Sequence, residues 1–334
     1  MRAFPAFGSM TALACALSAA ASLAATSVSS AQSYPSKNIT IVLPLAAGSG
    51  MDTIVRIYAD KLQQNLGKPV IIDNRPGASL MLAAQAVASA APDGYTLGVT
   101  TATPMAVNPY LFKQMHYDPE KDFIPLSLYA KSPFVLVVDP ALPVKSVPEL
   151  IAYVKAQPAA LSYSSPGAGT SQHLAMEYMK QLFGLAITHV PYRNTPQSIM
   201  DIASGHINLG FAEAGASVPL VKDGKLRALA VSSAQRLDVI ADVPTFEQAA
   251  NSKGFEAVSW HMLLAPAGTP RDIVERLHGE MKTIMADPEM KKRISDLGLI
   301  PFDTPDENGM RAYIRSEREK WGTLVQKLGL EGTQ

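Results

Sequence analysis

With 334 residues and 47% hydrophobic content, the chain has ample material for a buried core in one large or two modest domains. Lys plus Arg and Asp plus Glu number 29 each. No net field therefore exists to recruit nucleic acid or an anionic membrane surface over long range, and any anion site has to be local.

The chain opens with Arg2 ahead of an apolar run from Met10 to Ala25, and Ser29, Ser30 and Ala31 place small residues just before Gln32. This pattern predicts a secretory signal peptide over residues 1–31, since the run is too short to span a membrane. A lipoprotein reading of ALAC is disfavoured, because Ala rather than Leu leads it and no polar tether follows. Cys15, the single cysteine, lies inside this segment. The mature chain would then hold none, which excludes cysteine catalysis, thiolate metal sites and disulfides.

Beyond the leader, short β-branched runs alternate with segments of helical period, the pattern of an α/β fold with parallel strands and crossover helices. NITIVLPL predicts a strand. AAGSG then leads into a helix in which Ile54, Tyr58, Leu62 and Leu66 recur every four residues, with Asp52 as its expected N-cap and Gly67 as its end. VIIDNRPG, SLMLAAQAVASA and DGYTLGVTT continue the series as strand, helix and strand. A second series starts near Phe134. FVLVV reads as a strand, SVPELIAYVKA as a helix capped by Ser146 with Glu149 three residues on, and LSYSS as a strand. After PGAGTS come a helix of HLAMEYMKQLFG, then ITHVPY, a helix from Pro196 to Ser204, HINLGFAE and KLRALAVSS.

The last third reads as one strand, MLLAPAGTP, and long polar-rich helices from Arg271 to about Leu297 and from Asp306 to Leu328. Those helices need a sheet to cover, so the chain is expected to cross back near Ser259 and Trp260 and complete the first domain. The expected organisation is domain 1 from 32–132 and 260–334, domain 2 from 133–259, and a two-strand hinge at 130–133 and 259–262.

LPLAAGSGMD and YSSPGAGTSQH share one theme: a strand running through small residues into a helix N-terminus. Such a junction aims unpaired N–H groups and the positive helix end at one spot, which attracts an anion. Two of these, at the carboxyl ends of strands on two lobes, would face one another across a cleft. Neither loop has the third glycine of G-x-G-x-x-G or a P-loop Lys-Ser/Thr, which argues against nucleotides. Tight turns alone would use the same glycines.

No nucleophile elbow is present, and Ser164, Ser165 and Ser171 near His173 do not form an activated set. The histidines at 116, 173, 189, 206, 261 and 278 show no metal-ligand spacing, so neither a metal nor a cofactor is expected. Arg193, after HVPY, has the chemistry of a carboxylate clamp, although a salt bridge is the commoner use.

The segments YPSKNITIVLPLAAGSGMD, NRPGAS, APDGYTL, YDPEKDFIPL, SVPELIAYVKAQP, LSYSSPGAGTSQHLAMEYM, HVPYRN, GKLRALAVSSAQR, DVPTFEQA and LLAPAGTP stand in order with fitting spacing. The chain thereby resembles the periplasmic substrate-binding receptors of tripartite tricarboxylate transporters, the Bug family, over essentially the whole mature length. The resemblance implies a two-lobed Venus-flytrap fold, each lobe a mostly parallel sheet flanked by helices. It implies a monomer that closes on a small organic carboxylate, delivers it to an inner-membrane permease and catalyses no reaction. A hydrolase, or a periplasmic sensor or scaffold on the same fold, is the alternative. Carried onto this chain, the family's ligand loops fall on Ala46, Ala47, Ser49, Met51 and Asp52 and on Ser165, Gly167, Ala168, Gly169, Thr170, Ser171 and His173. Ser79, Thr100, Thr101, Thr103, Arg193 and Glu213 fall where such receptors read the rest of the ligand.

Two departures from the family pattern bear on specificity. Gly48, Ser49, Gly50 and Met51 stand where a run of glycines is usual, and Ser79, Leu80 and Met81 follow NRPGA in place of glycines. An acidic Glu213 points to a ligand with a donor group there or, if ionised, against a second carboxylate.

Overall fold

The computed structural model describes residues 1–3, 34–157, 160–193 and 195–334. The leader reading lies outside them apart from its first three residues, as do Cys15 and the cleavage point after Ala31. Residues Lys37–Gln334 form one compact unit.

The first strand, β1 (Ile39–Leu43), is a β-branched run with parallel partners on both sides and is buried accordingly. Helix α1 (Gly50–Leu66) follows, with Ile54, Tyr58, Leu62 and Leu66 buried and Gly67 closing it at φ 68°. Its N-cap is Ser49 rather than the expected Asp52: the Ser49 hydroxyl accepts the Asp52 N–H at 3.2 Å, and Asp52 already lies within the first turn. Then come β2 (Val70–Asn74), α2 (Met81–Ala88) and β3 (Thr96–Thr100). A π turn over Thr103–Val107 and the short α3 (Asn108–Leu111) were not legible, because Pro104 and Pro109 interrupt any period.

The sixteen-residue β4 (Phe123–Val138) contains the run FVLVV as its last five residues only. It is followed by α4 (Val147–Ala156), where Ser146 accepts the Glu149 N–H. The Glu149 carboxylate reaches Lys145 N–H and not that of Ser146, so the capping box is displaced by one residue. Next are β5 (Ser162–Ser165), α5 (Ser171–Phe183), β6 (Thr188–Pro191), α6 (Thr195–Ala203), β7 (Leu209–Glu213), α7 (Ala214–Lys222) and β8 (Arg227–Val231). The chain continues through α8 (Phe246–Ala250), β9 (Val258–Pro266), α9 (Arg271–Ala286), α10 (Pro288–Asp296), β10 (Ile300–Pro301) and α11 (Glu307–Lys327). The helix expected from Arg271 to Leu297 is thus two. Pro288 cannot donate to the turn before it, and Asp287 caps the new start by accepting the Glu289 N–H at 3.0 Å.

The described strands join in the order β2-β1-β3-β9-β4-β7-β5-β6, with β8 and β10 also on β4. One half of this sheet lies before Pro133 on β4 and the other after it. Phe123–Pro133 pairs with β9, while Phe134–Val138 pairs with β7 and β8. Parallel pairing holds for β1 with β2 and β3, and for β5 with β6 and β7. Every ladder through β4 and β9 is antiparallel. The sheet is therefore mixed rather than mostly parallel. The physical reason is that β4 carries the chain from one half to the other and β9 carries it back, so the two run opposed, side by side.

Helix α11 covers the first half. Glu317 on it accepts from the indole N–H of Trp260 on β9 at 3.1 Å and of Trp321 at 3.0 Å, all three being buried.

Candidate ligand-binding cleft

In the loop after β1, Gly48 has a φ of +80° and donates its N–H to the Asp52 carboxylate at 3.0 Å. Asp52 also accepts from Arg56 at 2.9 and 3.0 Å and from Asn74 at 3.1 Å. Burial pushes its carboxyl up, but Arg56, the Gly48 amide and Asn74 outweigh that and hold it below the ordinary range. Asp52 is thus occupied within its own half. Ser49 and Met51 are fully buried, Ala46 is half-buried and Ala47 exposed.

In the loop after β5, the Thr170 hydroxyl donates to the Gly167 carbonyl at 2.8 Å and accepts the His173 N–H, capping α5. The Gly169 N–H donates to His173 Nδ1 at 3.1 Å, which fixes the ring proton on Nε2. Ser165 Oγ lies 2.7 Å from His189 Nε2, accepts the Gly167 N–H at 3.1 Å and donates to the Gly167 carbonyl at 3.0 Å. His173 and His189 pack with ring centroids 4.4 Å apart. Burial pulls both down to about 4, so two neutral rings support the glycine loop.

The halves meet through side chains reaching across. Ser79 Oγ donates to the Ala168 carbonyl at 2.5 Å, and Asn108 holds the Ser79 carbonyl at 3.1 Å. Ala78, Ser79 and Leu80 all have positive φ, a costly turn for three residues with Cβ atoms. Gly169 permits equally close approach, since a Cβ there would lie 1.9 Å from Leu111 Cδ2. Most telling, each helix N-terminus is met by an oxygen from the opposite half. The Gly50 N–H of α1 donates to Glu213 Oε2 at 3.1 Å, and the Ser171 N–H of α5 donates to Thr103 Oγ1 at 3.1 Å.

Between these contacts lies a cavity lined by Leu45, Leu80, Thr101, Thr103, Gln172 and Glu213. Its floor is Ser132 and Phe134 on β4 with Ser259 and His261 on β9. The cavity's volume of about 10 Å³ is that of a single water site, so the cleft is closed. Of the residues expected from sequence, Thr101, Thr103 and Glu213 line it. Gly167, Ala168, Gly169, Thr170, Ser171 and Ser79 form the interlocked rim, and Ser165 and His173 brace the loop from behind. Thr100 is buried at the end of β3, with its hydroxyl unpartnered among the described residues. Arg193 is exposed after β6, outside the lining.

Ser132, Ser259 and His261 were missed as lining residues. Their signal was present in part: Ser259 and His261, polar and two apart in the run SWH, share one sheet face, and Ser132 is a polar residue in the same strand as the apolar run FVLVV. Glu213 is pushed up to about 7 by burial, against the opposing effect of the Gly50 and Met51 amides. His261 is pulled down to about 3 by burial and is neutral.

Comparison with known proteins accords with this architecture. The family described as "Tripartite tricarboxylate transporter family receptor" matches residues 54–330. Protein BugT of Bordetella pertussis is 30% identical over 302 residues, covering 90% of this chain and 92% of that protein. Among solved structures, R. palustris Rpa4515 with adipate superposes with a TM-score of 0.85 at 32% identity, covering 89% of this chain and 98% of that one. MatC from Rhodopseudomonas palustris with bound malate gives 0.81 at 29% identity, covering 87% and 100%. With the two-lobed α/β fold, the paired helix N-termini and these matches together, the chain belongs to the tripartite tricarboxylate transporter receptor family.

Proposed function

We propose that this chain is an extracytoplasmic receptor that captures a small organic carboxylate between its lobes and delivers it to an inner-membrane permease of the tripartite tricarboxylate type. The observation that carries the reading is the pair of helix N-termini, Gly50 on α1 and Ser171 on α5, aimed across one cleft and each already paired with an oxygen. A carboxylate is the ligand chemistry such termini favour, and it needs no lysine. Adipate and malate in the related structures support the same class.

On this reading the lobes are 32–132 with 260–334 and 133–259, and β4 and β9 form the hinge. The leader exports the chain to the periplasm, where it works as a monomer and binds without turnover. Glycine-loop residues 167–171 hold the ligand carboxylate. A ligand touching both lobes stabilises only the closed state, which is how binding becomes closure.

The test is thermal unfolding of residues 32–334 against mono-, di- and tricarboxylates, aromatic acids and amino acids. A ligand present at a hundred times its Kd adds about 2.7 kcal/mol and raises Tm. A panel without a single stabilising acid would overturn the carboxylate reading.

A further inference from the structure

The floor of the closed cleft holds polar groups that the fold itself does not satisfy. Ser132 and His261 are each 1% exposed, and both line the cavity. Among the described residues, neither Ser132 Oγ nor His261 Nδ1 has a hydrogen-bond partner. Buried polar atoms without partners are rare and costly, and two on residues lining one cavity leave hydrogen-bonding capacity there for a ligand group. The third polar member is Glu213, 4% exposed, whose Oε2 is fixed by the Gly50 N–H at 3.1 Å.

Glu213 alters what the cleft can accept. The α1 N-terminus, one of the two places where a ligand carboxylate would settle, already has a carboxylate from the opposite lobe. The α5 N-terminus is met only by the Thr103 hydroxyl, a neutral group that a ligand anion can replace or share. One end of the cleft therefore suits an anion and the other already carries one.

We infer that Glu213, Ser132 and His261 form a subsite for a non-anionic hydrogen-bond donor, a hydroxyl or ammonium group, on the end of the ligand remote from its carboxylate. The preferred ligand is then a monocarboxylate carrying that donor, and a dicarboxylate is disfavoured. This rests on the carboxylate-receptor reading above. Ionised Glu213 accepts from either donor, the neutral His261 ring does not repel an ammonium, and the Ser132 hydroxyl serves as donor or acceptor. A second ligand carboxylate would meet Glu213 as a like charge in a buried site, and the neutral floor offers no cation to offset it.

The experiment is calorimetric titration at pH 8 of residues 32–334 with two matched series. One is hexanoate, 6-hydroxyhexanoate, 6-aminohexanoate and adipate; the other is their four-carbon counterparts. In at least one series the hydroxyl or amino acid should bind about tenfold or more tighter than the dicarboxylate. Glu213→Gln should narrow that gap by about tenfold, chiefly through tighter dicarboxylate binding. Ser132→Ala removes a hydroxyl that has no partner in the fold, so it should fold normally and weaken the hydroxyl acid alone. A dicarboxylate that binds the wild type as well as the donor-bearing acids would overturn the inference, as would a ranking unchanged in both variants. Absence of binding by every acid to every protein would instead overturn the carboxylate reading, and the inference with it.

Discussion

At the scale of single residues, Glu213 has a consequence for stability that can be isolated by one substitution. Burial raises its carboxyl from 4.5 to about 7. Between those values the folded chain keeps a proton that the unfolded chain has lost, so this group's contribution to stability falls as pH rises from 4.5 to 7 and is level above. His173 and His189 at about 4 and His261 at about 3 act oppositely. The unfolded chain takes up protons below 6.5 that these rings refuse, so their contribution rises with pH up to 6.5. The groups around Glu213 are few: Tyr129 on β4 and Tyr58 on α1 stay neutral, His261 on β9 is neutral, Asp52 on α1 is paired with Arg56, and Lys222 lies at the far end of α7. Comparing Glu213→Gln with the wild type cancels the histidine contributions. The variant should gain, relative to wild type, on the order of 3 kcal/mol between pH 4.5 and 7.5 in urea unfolding. A difference independent of pH would show that Glu213 is not held in a dry interlobe contact.

At the scale of elements, one helix start and one helix end were legible from local chemistry. Ser146 precedes α4 as cap chemistry requires, and Gly67 closes α1. The failures have equally local causes. Asp52 passed for a cap because an acidic residue suits both the cap and the first turn, and Ala78, Ser79 and Leu80 carry no sign of the left-handed turn they adopt. Helix α11 depends on a contact that no local pattern reveals, Glu317 joining Trp260 to Trp321. Glu317→Ala leaves two buried indole N–H groups without an acceptor and should cost about 2–4 kcal/mol, measured by denaturant unfolding. Glu317→Gln keeps an acceptor and should cost distinctly less. Equal losses would mean that the helix is held by packing alone.

At the scale of the whole molecule, the α/β class could be read from runs such as FVLVV and MLLAPAGTP. The length of β4 could not, because Pro125 and Pro133 mask a strand that tolerates them at a register shift and at the end of its β9 ladder. The candidate site was legible as loops, from the small residues ahead of two helices. Its closure was not, since Gly50 and Glu213 are separated by 163 positions and only the fold joins them.

Closure around a ligand is the central claim, and the absence of cysteine from residues 32–334 makes it directly measurable. Spin labels at Gln64→Cys on α1 and Met200→Cys on α6, both exposed, report the distance between the lobes by pulsed electron paramagnetic resonance. With the acid that most raises Tm, the distance distribution should shift to a single short, narrow population. A distribution unchanged by saturating acid would contradict the account, because the ligand would then be binding without drawing the two lobes together.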